Sequence, residues 1–363
     1  MSYFTKWPFR LVPERNPEIW ADRAALLAEV EPYFKFVESR ENISKILVLW
    51  GAFGAGKSHL LRHMKWRLEN DDSGFVVYSP FPKQRIRGFR ELYQASFASR
   101  MDFHTLGRNV AYIWKSYDGD EMKFLFDVTE ETDYWYDFAQ VILTVGKLFI
   151  NTPKISDPYF GLCRNWLMAE KLRAEERRTL GVKNDIRTDE DAIRLFSSLV
   201  RFLSGRGEIK TIVWMLDDCH ILLSQELLKF KDIILYGLKT VFDETPDNLI
   251  LLLSFATKDP DAVDEFLIPD LLRRIQKIDI GAMTDEDAFL FVSDLLTTYQ
   301  IKKEPIYYPF EEEACIHAII TEVAKRGLSP GNLMGDLNQL VGNAEREIYP
   351  KLINFNFIQI FYS

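Results

Sequence analysis

The residues Gly51-Ala52-Phe53-Gly54-Ala55-Gly56-Lys57-Ser58 have the spacing G-x-x-x-x-G-K-[ST]. Glycines in such a run let the backbone turn tightly, so that consecutive N–H groups face one anion. A helix that starts where the run ends adds its positive N-terminal end. The lysine then reaches the outer phosphates and the hydroxyl ligates a divalent cation. The spacing predicts that residues 51–58, with His59 beside them, hold the phosphates of ATP, with Ser58 as a Mg²⁺ ligand. The flanks agree: Lys45 to Trp50 is a short apolar run of the kind a buried parallel strand shows, and Ser58 to Leu68 has helical patterning. The bland alternative is a glycine turn with a chance lysine.

A second acidic element follows far down the chain. TIVWMLDD places Asp217 and Asp218 at the end of an apolar strand. A carboxylate in that place holds the metal shell, usually through water, and the next acid can polarise the attacking water. Asp217 takes the first role and Asp218 the second, with Lys57 as the charge on the transferred phosphate. A glutamate is the more usual polarising residue, so the shorter Asp218 predicts slow hydrolysis. The alternative is a solvated Asp-Asp turn. His220 reads either as a polar sensor or as a structural histidine. His59 and His63 sit four apart and could share one metal, yet no third ligand is in sequence reach, so packing is the better reading. Cys163, Cys219 and Cys315 are odd in number and widely spaced, which argues for a reducing compartment and against a disulfide or metal framework.

These groups need a sheet to position them. A helix is expected over Pro17 to Glu38, with strands at Lys45–Trp50, Phe75–Ser79, Thr211–Leu216, Leu249–Phe255 and Lys277–Ile280. Strands separated by helical segments predict an α/β fold, a parallel sheet with helices on both faces. Between the second and third strands, residues 102–185 are too long for a simple connection and rich in aromatics, and they predict an inserted helical subdomain. Three helices after the fifth strand, near Thr284–Thr298, Phe310–Arg326 and Asn332–Glu347, predict a small lid. The expected units are a linker helix (1–44), the sheet domain (45–283), the lid (284–349) and an apolar tail (350–363) of open destination.

Across 363 residues the chain carries 45 basic and 54 acidic side chains, so its whole surface is not built to coat nucleic acid. A local patch remains open. Lys83, Arg85, Arg87 and Arg90 lie within ten residues together with Phe81 and Phe89, a candidate contact for DNA or RNA. The alternative is a solvated loop leading into a helix. The mixed charges of Arg164 to Arg178 read as an exposed helix. The first twenty residues lack the apolar core of a signal peptide, and no uncharged run approaches the ~20 residues of a membrane span, so a soluble cytoplasmic protein is expected.

The combination resembles the AAA+ ATPases, especially the branch of origin-recognition initiators and transposition-regulator ATPases, with the STAND-type switches as neighbours. Residues 20–27, WADRAALL, are similar to the "G-R-x-x-x-L" segment that packs near the adenine there, which brings Arg23 to the nucleotide. Ser254 and Thr257 fall where that family places its polar sensor-one residue. Leu271 to Ile275 resembles the segment carrying the arginine finger, with Arg274 the better match and Arg273 in reserve; two arginines that merely solvate a helix end are the alternative. Ser329 to Leu337 resembles the sensor-two stretch, but Met334 stands where the arginine belongs. The initiators also carry a winged-helix domain after the lid, and only about 15 residues follow the last expected helix here, below the roughly 50 such a domain needs. The likeness covers about residues 15–100 and 186–348.

The resemblance implies a P-loop NTPase of AAA+ type with a five-stranded parallel sheet and a helical lid. It implies ATP and Mg²⁺ bound between the subunits of a homo-oligomer, with Arg274 acting in trans. Hydrolysis would remodel or regulate a nucleic-acid-associated complex in replication, transposition or defence against mobile elements. The rival reading is a slowly hydrolysing STAND-like switch that assembles with protein partners; Asp218 and Met334 favour it, and the basic stretch favours the first. A P-loop kinase has no use for the lid or the Arg273-Arg274 pair.

Overall fold

The computed structural model describes residues 3–4, 24–38, 44–70, 74–83, 86–150, 157–245, 247–257, 259–300 and 304–363. Five strands form one sheet: β1 (Lys45–Gly51), β2 (Gly74–Pro80), β3 (Thr211–Asp217), β4 (Leu249–Ala256) and β5 (Ile275–Asp279). Their order is β2-β3-β4-β1-β5 and every pair is parallel. The expected α/β architecture is therefore present, with strand ends shifted by at most two residues from the sequence reading. The central strands β3 and β4 are apolar without alternation because both of their faces are covered. The edge strand β2 alternates.

Period-two alternation divides the side chains between two layers. On one face Leu47, Leu49, Val213, Met215, Ile250 and Leu252 pack against α1 (Ala24–Glu38) and α2 (Lys57–Asn70). Leu60, Leu61, Met64 and Leu68 supply the buried stripe of α2, and its Arg67 pairs in two hydrogen bonds with Glu31 of α1. The part of the expected first helix before Ala24 lies outside the described residues. On the other face Ile46, Val48, Trp214, Leu216, Leu251 and Leu253 join a larger core. That face is covered by α3 (Phe89–Leu92), which runs on as a π-helical segment at Tyr93–Ala98, and by two later helices, α9 (Asp189–Arg206) and α10 (Lys231–Glu244).

The long stretch between β2 and β3 is helical: α4 (Phe103–Lys115), α5 (Glu121–Glu131), α6 (Tyr136–Ile150), α7 (Pro158–Leu167) and α8 (Ala174–Leu180). Asp102, Asp120 and Asp157 start three of them by accepting from the amides of His104, Lys123 and Tyr159. These helices do not hold a core of their own. Trp114, Phe124 and Phe202 stack edge to face at 5.2 and 6.2 Å, and Phe196, on the same helix α9 as Phe202, meets Trp214 of β3 at 5.2 Å. The apolar interior thus runs unbroken from the insertion to the sheet. Helix α9 is the shared wall.

After β4, α11 (Pro260–Phe266) and α12 (Pro269–Leu272) lead into β5. A separate apolar core follows, made by α13 (Asp285–Tyr299), α14 (Glu313–Ala324), α15 (Pro330–Glu347) and α16 (Phe355–Tyr362). Thr284 and Asp287 cap α13 reciprocally. The apolar tail packs here: Ile353 and Ile358 are buried and α16 lies against α14. Tyr3 and Phe4 join the same core, where Tyr3 donates to the Lys351 carbonyl at 2.6 Å. Among the described residues no helix is long and apolar enough to cross a membrane.

Candidate nucleotide site

The strands end together at their C-terminal edge, where open parallel sheets bind ligands. Gly51 is the last residue of β1, and it must be glycine for a local reason. A Cβ there would stand 2.5 Å from the backbone oxygen of Ile280, which crosses just beyond β5. Gly56 has φ +102, a conformation that other residues rarely adopt. Together they turn the chain from β1 into α2. The turn leaves donors unspent: the amides of Gly54, Gly56, Lys57 and Ser58, and the Ser58 hydroxyl, find no acceptor among the described residues. Such a set of converging donors fits a polyphosphate.

Lys57 is buried, and its Nζ donates to the carbonyls of Gly51 at 2.9 Å and Ala52 at 2.8 Å. Burial pulls its ammonium below the ordinary lysine value, while the charges of Asp217 and Asp218 oppose the fall. Phe53 is the opposite case, 89% exposed at the tip of the loop. His59 sits in the first turn of α2. His63 is buried one turn on, with its ring 5.9 Å from Trp66.

The alternation that builds the sheet also builds the acidic side of the site. Met215 and Asp217 share a face, as do Leu252 and Ser254, and this is the face that α2 covers. Asp217 is 2% exposed. Its Oδ1 accepts from the Ser254 hydroxyl in a short hydrogen bond and from the Asp218 amide at 3.0 Å. The Asp218 amide also reaches Ser254 Oγ at 2.9 Å. Ser254, at the position expected for a polar sensor, gives its hydroxyl to Asp217. Thr257 instead holds the loop by donating its amide to the Gly51 carbonyl at 3.0 Å.

Asp218 follows the strand in the left-handed region, at φ +59 and ψ 36, which aspartate tolerates better than most residues. Its carboxyl is half-exposed, and burial together with the Asp217 charge raises it above the usual aspartate range. His220 Nδ1 lies 3.9 Å from its Oδ1.

One residue of this cluster has no counterpart among the candidates named from the sequence. Tyr78 of β2 donates its hydroxyl to Asp217 Oδ2 at 2.8 Å. The signal for it was present in the alternation of FVVYSP, which puts Val76 and Tyr78 on the α2 face.

The basic stretch divides. Lys83 and Arg87 are exposed, and Lys83 is near enough for its charge to act on Asp218. Arg90 is not available for a nucleic acid: its Nε donates to the Ile186 carbonyl at 3.0 Å and its Nη2 to that of Ala169 at 2.9 Å. Phe81 and Phe89 are buried core residues and offer no stacking surface. Arg85 and Arg23 lie outside the described residues.

The arginine pair also separates. Arg274 forms a short ion pair with Asp243 of α10, whereas Arg273 is exposed and has no ionic partner among the described residues. Met334 packs on the core formed by α13 to α16. The start of α15 comes down on the loop itself, with the Gly331 amide 3.4 Å from the Gly54 carbonyl and Pro330 beside Gly56.

No protein-family model and no curated protein matches the sequence. Solved structures do share its shape. Aeropyrum pernix ORC2, in ADPNP-ADP complexes, aligns with TM-score 0.54 and 13% identity over 99% of this chain and 72% of its own. Aeropyrum pernix ORC1 in complex with DNA aligns with TM-score 0.51 and 15% identity over 97% of this chain and 67% of its own. The chain shares its fold with these two proteins: a five-stranded parallel sheet with helices on both faces, followed by a second helical core.

Proposed function

We propose that this chain is an ATPase that binds ATP with Mg²⁺ at subunit interfaces and uses hydrolysis to remodel or regulate a nucleic-acid-associated complex. The observation that carries this reading is the convergence of unspent loop amides, Lys57 and the Asp217-Asp218 pair at one sheet edge. The loop amides and Lys57 bind the phosphates. Ser58 and Asp217 would hold the metal, which neutralises charge between the outer phosphates when bound. Of the Asp217-Asp218 pair, Asp218 is the carboxylate with solvent access, and it orients the attacking water and takes its proton. A nucleic-acid partner is supported by the exposed Lys83 and Arg87 and by the likeness to ORC1 solved with DNA.

A second reading, a slow nucleotide-state switch assembling with protein partners, draws on the seating of α15 on Gly54 without a sensor-two arginine. Phosphate release decides between them. The wild type should turn over ATP, Lys57→Ala should lose nucleotide binding, and Asp218→Asn should bind ATP yet release phosphate at least 100-fold more slowly, as expected on loss of a general base. Because Asp218 is held above the usual aspartate range, it loses its charge earlier as pH falls, and turnover should decline sooner on the acid side than for a solvated aspartate. Equal rates for wild type and Asp218→Asn would leave the switch reading standing.

A further inference from the structure

Asp217 is a buried carboxylate whose two oxygens are treated differently. Oδ1 is engaged by Ser254 of the adjacent strand β4 and by the amide of Asp218, the next residue in the chain. Oδ2 is engaged from the next strand, by Tyr78 at 2.8 Å. The direction of that bond is fixed by a third residue. Arg62 of α2 places its Nε 3.3 Å from the Tyr78 oxygen and its guanidinium 4.9 Å from the centre of the Tyr78 ring. A guanidinium only donates, so the tyrosine oxygen accepts from Arg62 and its single proton goes to Asp217. The phenol thus stands between the helix that leaves the phosphate loop and the carboxylate at the end of β3.

We propose that Tyr78 is a positioning residue for the metal-holding carboxylate, its hydroxyl fixing the rotation of Asp217 so that the carboxylate meets the cation shell in one orientation. This inference rests on the reading of Asp217 given above. Outer partners of a metal ligand set its orientation, and their loss typically weakens metal affinity by about 10- to 100-fold. A tyrosine that only filled the edge of the sheet would need its ring and not its oxygen. Tyr78→Phe separates the two, because the ring and its contact with Arg62 are kept.

The test is the affinity for Mn²⁺, followed by its electron paramagnetic resonance signal, in the full chain with a non-hydrolysable ATP analogue. Nucleotide binding in EDTA is measured beside it. Tyr78→Phe should weaken Mn²⁺ about tenfold or more while leaving metal-free nucleotide binding and the melting temperature close to wild type. In an Asp217→Asn background the same change should add nothing further. Unchanged Mn²⁺ affinity in Tyr78→Phe overturns the proposal and leaves the nucleotide reading intact. Equal losses with and without metal also overturn it, since they mark a structural role. A wild type that binds no nucleotide at all overturns the underlying reading, a result distinguishable from both. Should Tyr78→Phe fold poorly, Arg62→Leu supplies the second probe: it frees the hydroxyl to turn and should weaken Mn²⁺ in the same selective way.

Discussion

At the scale of single residues, the site depends on close approaches that leave no spare volume. Gly51 is the sharpest case. Its added Cβ would collide with backbone rather than with a side chain that could swing away. Gly51→Ala must therefore push the Ile280 segment off β1 or rotate the loop, at a cost of about 1–3 kcal/mol for overpacking. Rotating the loop also misdirects its free amides, so the variant should lose ATP affinity by far more than its drop in denaturant midpoint implies. Calorimetric titration beside urea unfolding checks this, and unchanged affinity would count against the loop as the phosphate cradle. The type and spacing of residues 51–58 were enough to expect a tight glycine turn between β1 and α2, because its geometry is local. Tyr78 was harder to name. Its partner is 139 positions away, and only the pairing of β2 with β3 brings them together.

At the scale of elements, the sheet was legible because buried parallel strands write themselves as apolar runs, and β3 and β4 are such runs. The insertion was legible as helical but not as part of the main core. Periodicity shows that a helix has an apolar face and does not say what the face meets. Here the faces meet α9, whose Phe196 touches Trp214 while its Phe202 touches Phe124 of α5. Trp214 is fully buried among Phe89, Phe97 and Phe196. Trp214→Ala should cost about 3–5 kcal/mol, as large aromatic truncations in cores do. Because the core is continuous, the loss should spread. Amide hydrogen exchange should show α6 losing protection together with β3, and a loss confined to β3 would mean that the insertion folds as its own unit. The basic stretch divides for a related reason: Phe81, Phe89 and Arg90 belong to this same packed side of the sheet, which a run of cations cannot announce, while Lys83 and Arg87 stay exposed.

At the scale of the whole molecule, half of the expected site is out of reach of the other half. Register pairs Ile275 at the start of β5 with Ile46, while Gly51 lies at the far end of β1. Five residues of strand separate those levels by ~16 Å, farther than an arginine side chain extends from Arg273 or Arg274 to its own loop. If either arginine meets a γ-phosphate, that phosphate belongs to another copy of the chain. The structure also changes which arginine is the better candidate. Arg274 would first have to leave Asp243, whereas Arg273 gives up no ion pair among the described residues. Arg273→Ala should therefore slow turnover on the order of 10³-fold with ATP binding kept, and Arg274→Ala should slow it less. Mixing decides whether the effect crosses subunits. An Arg273→Ala/Arg274→Ala chain keeps an intact loop, and an Asp218→Asn chain keeps intact arginines. Neither should hydrolyse ATP alone, and together they should recover a measurable part of the wild-type rate at interfaces that combine the two. A mixture as inactive as its components would show that the arginines serve only their own subunit, as the ion pair with Asp243 already suggests for Arg274.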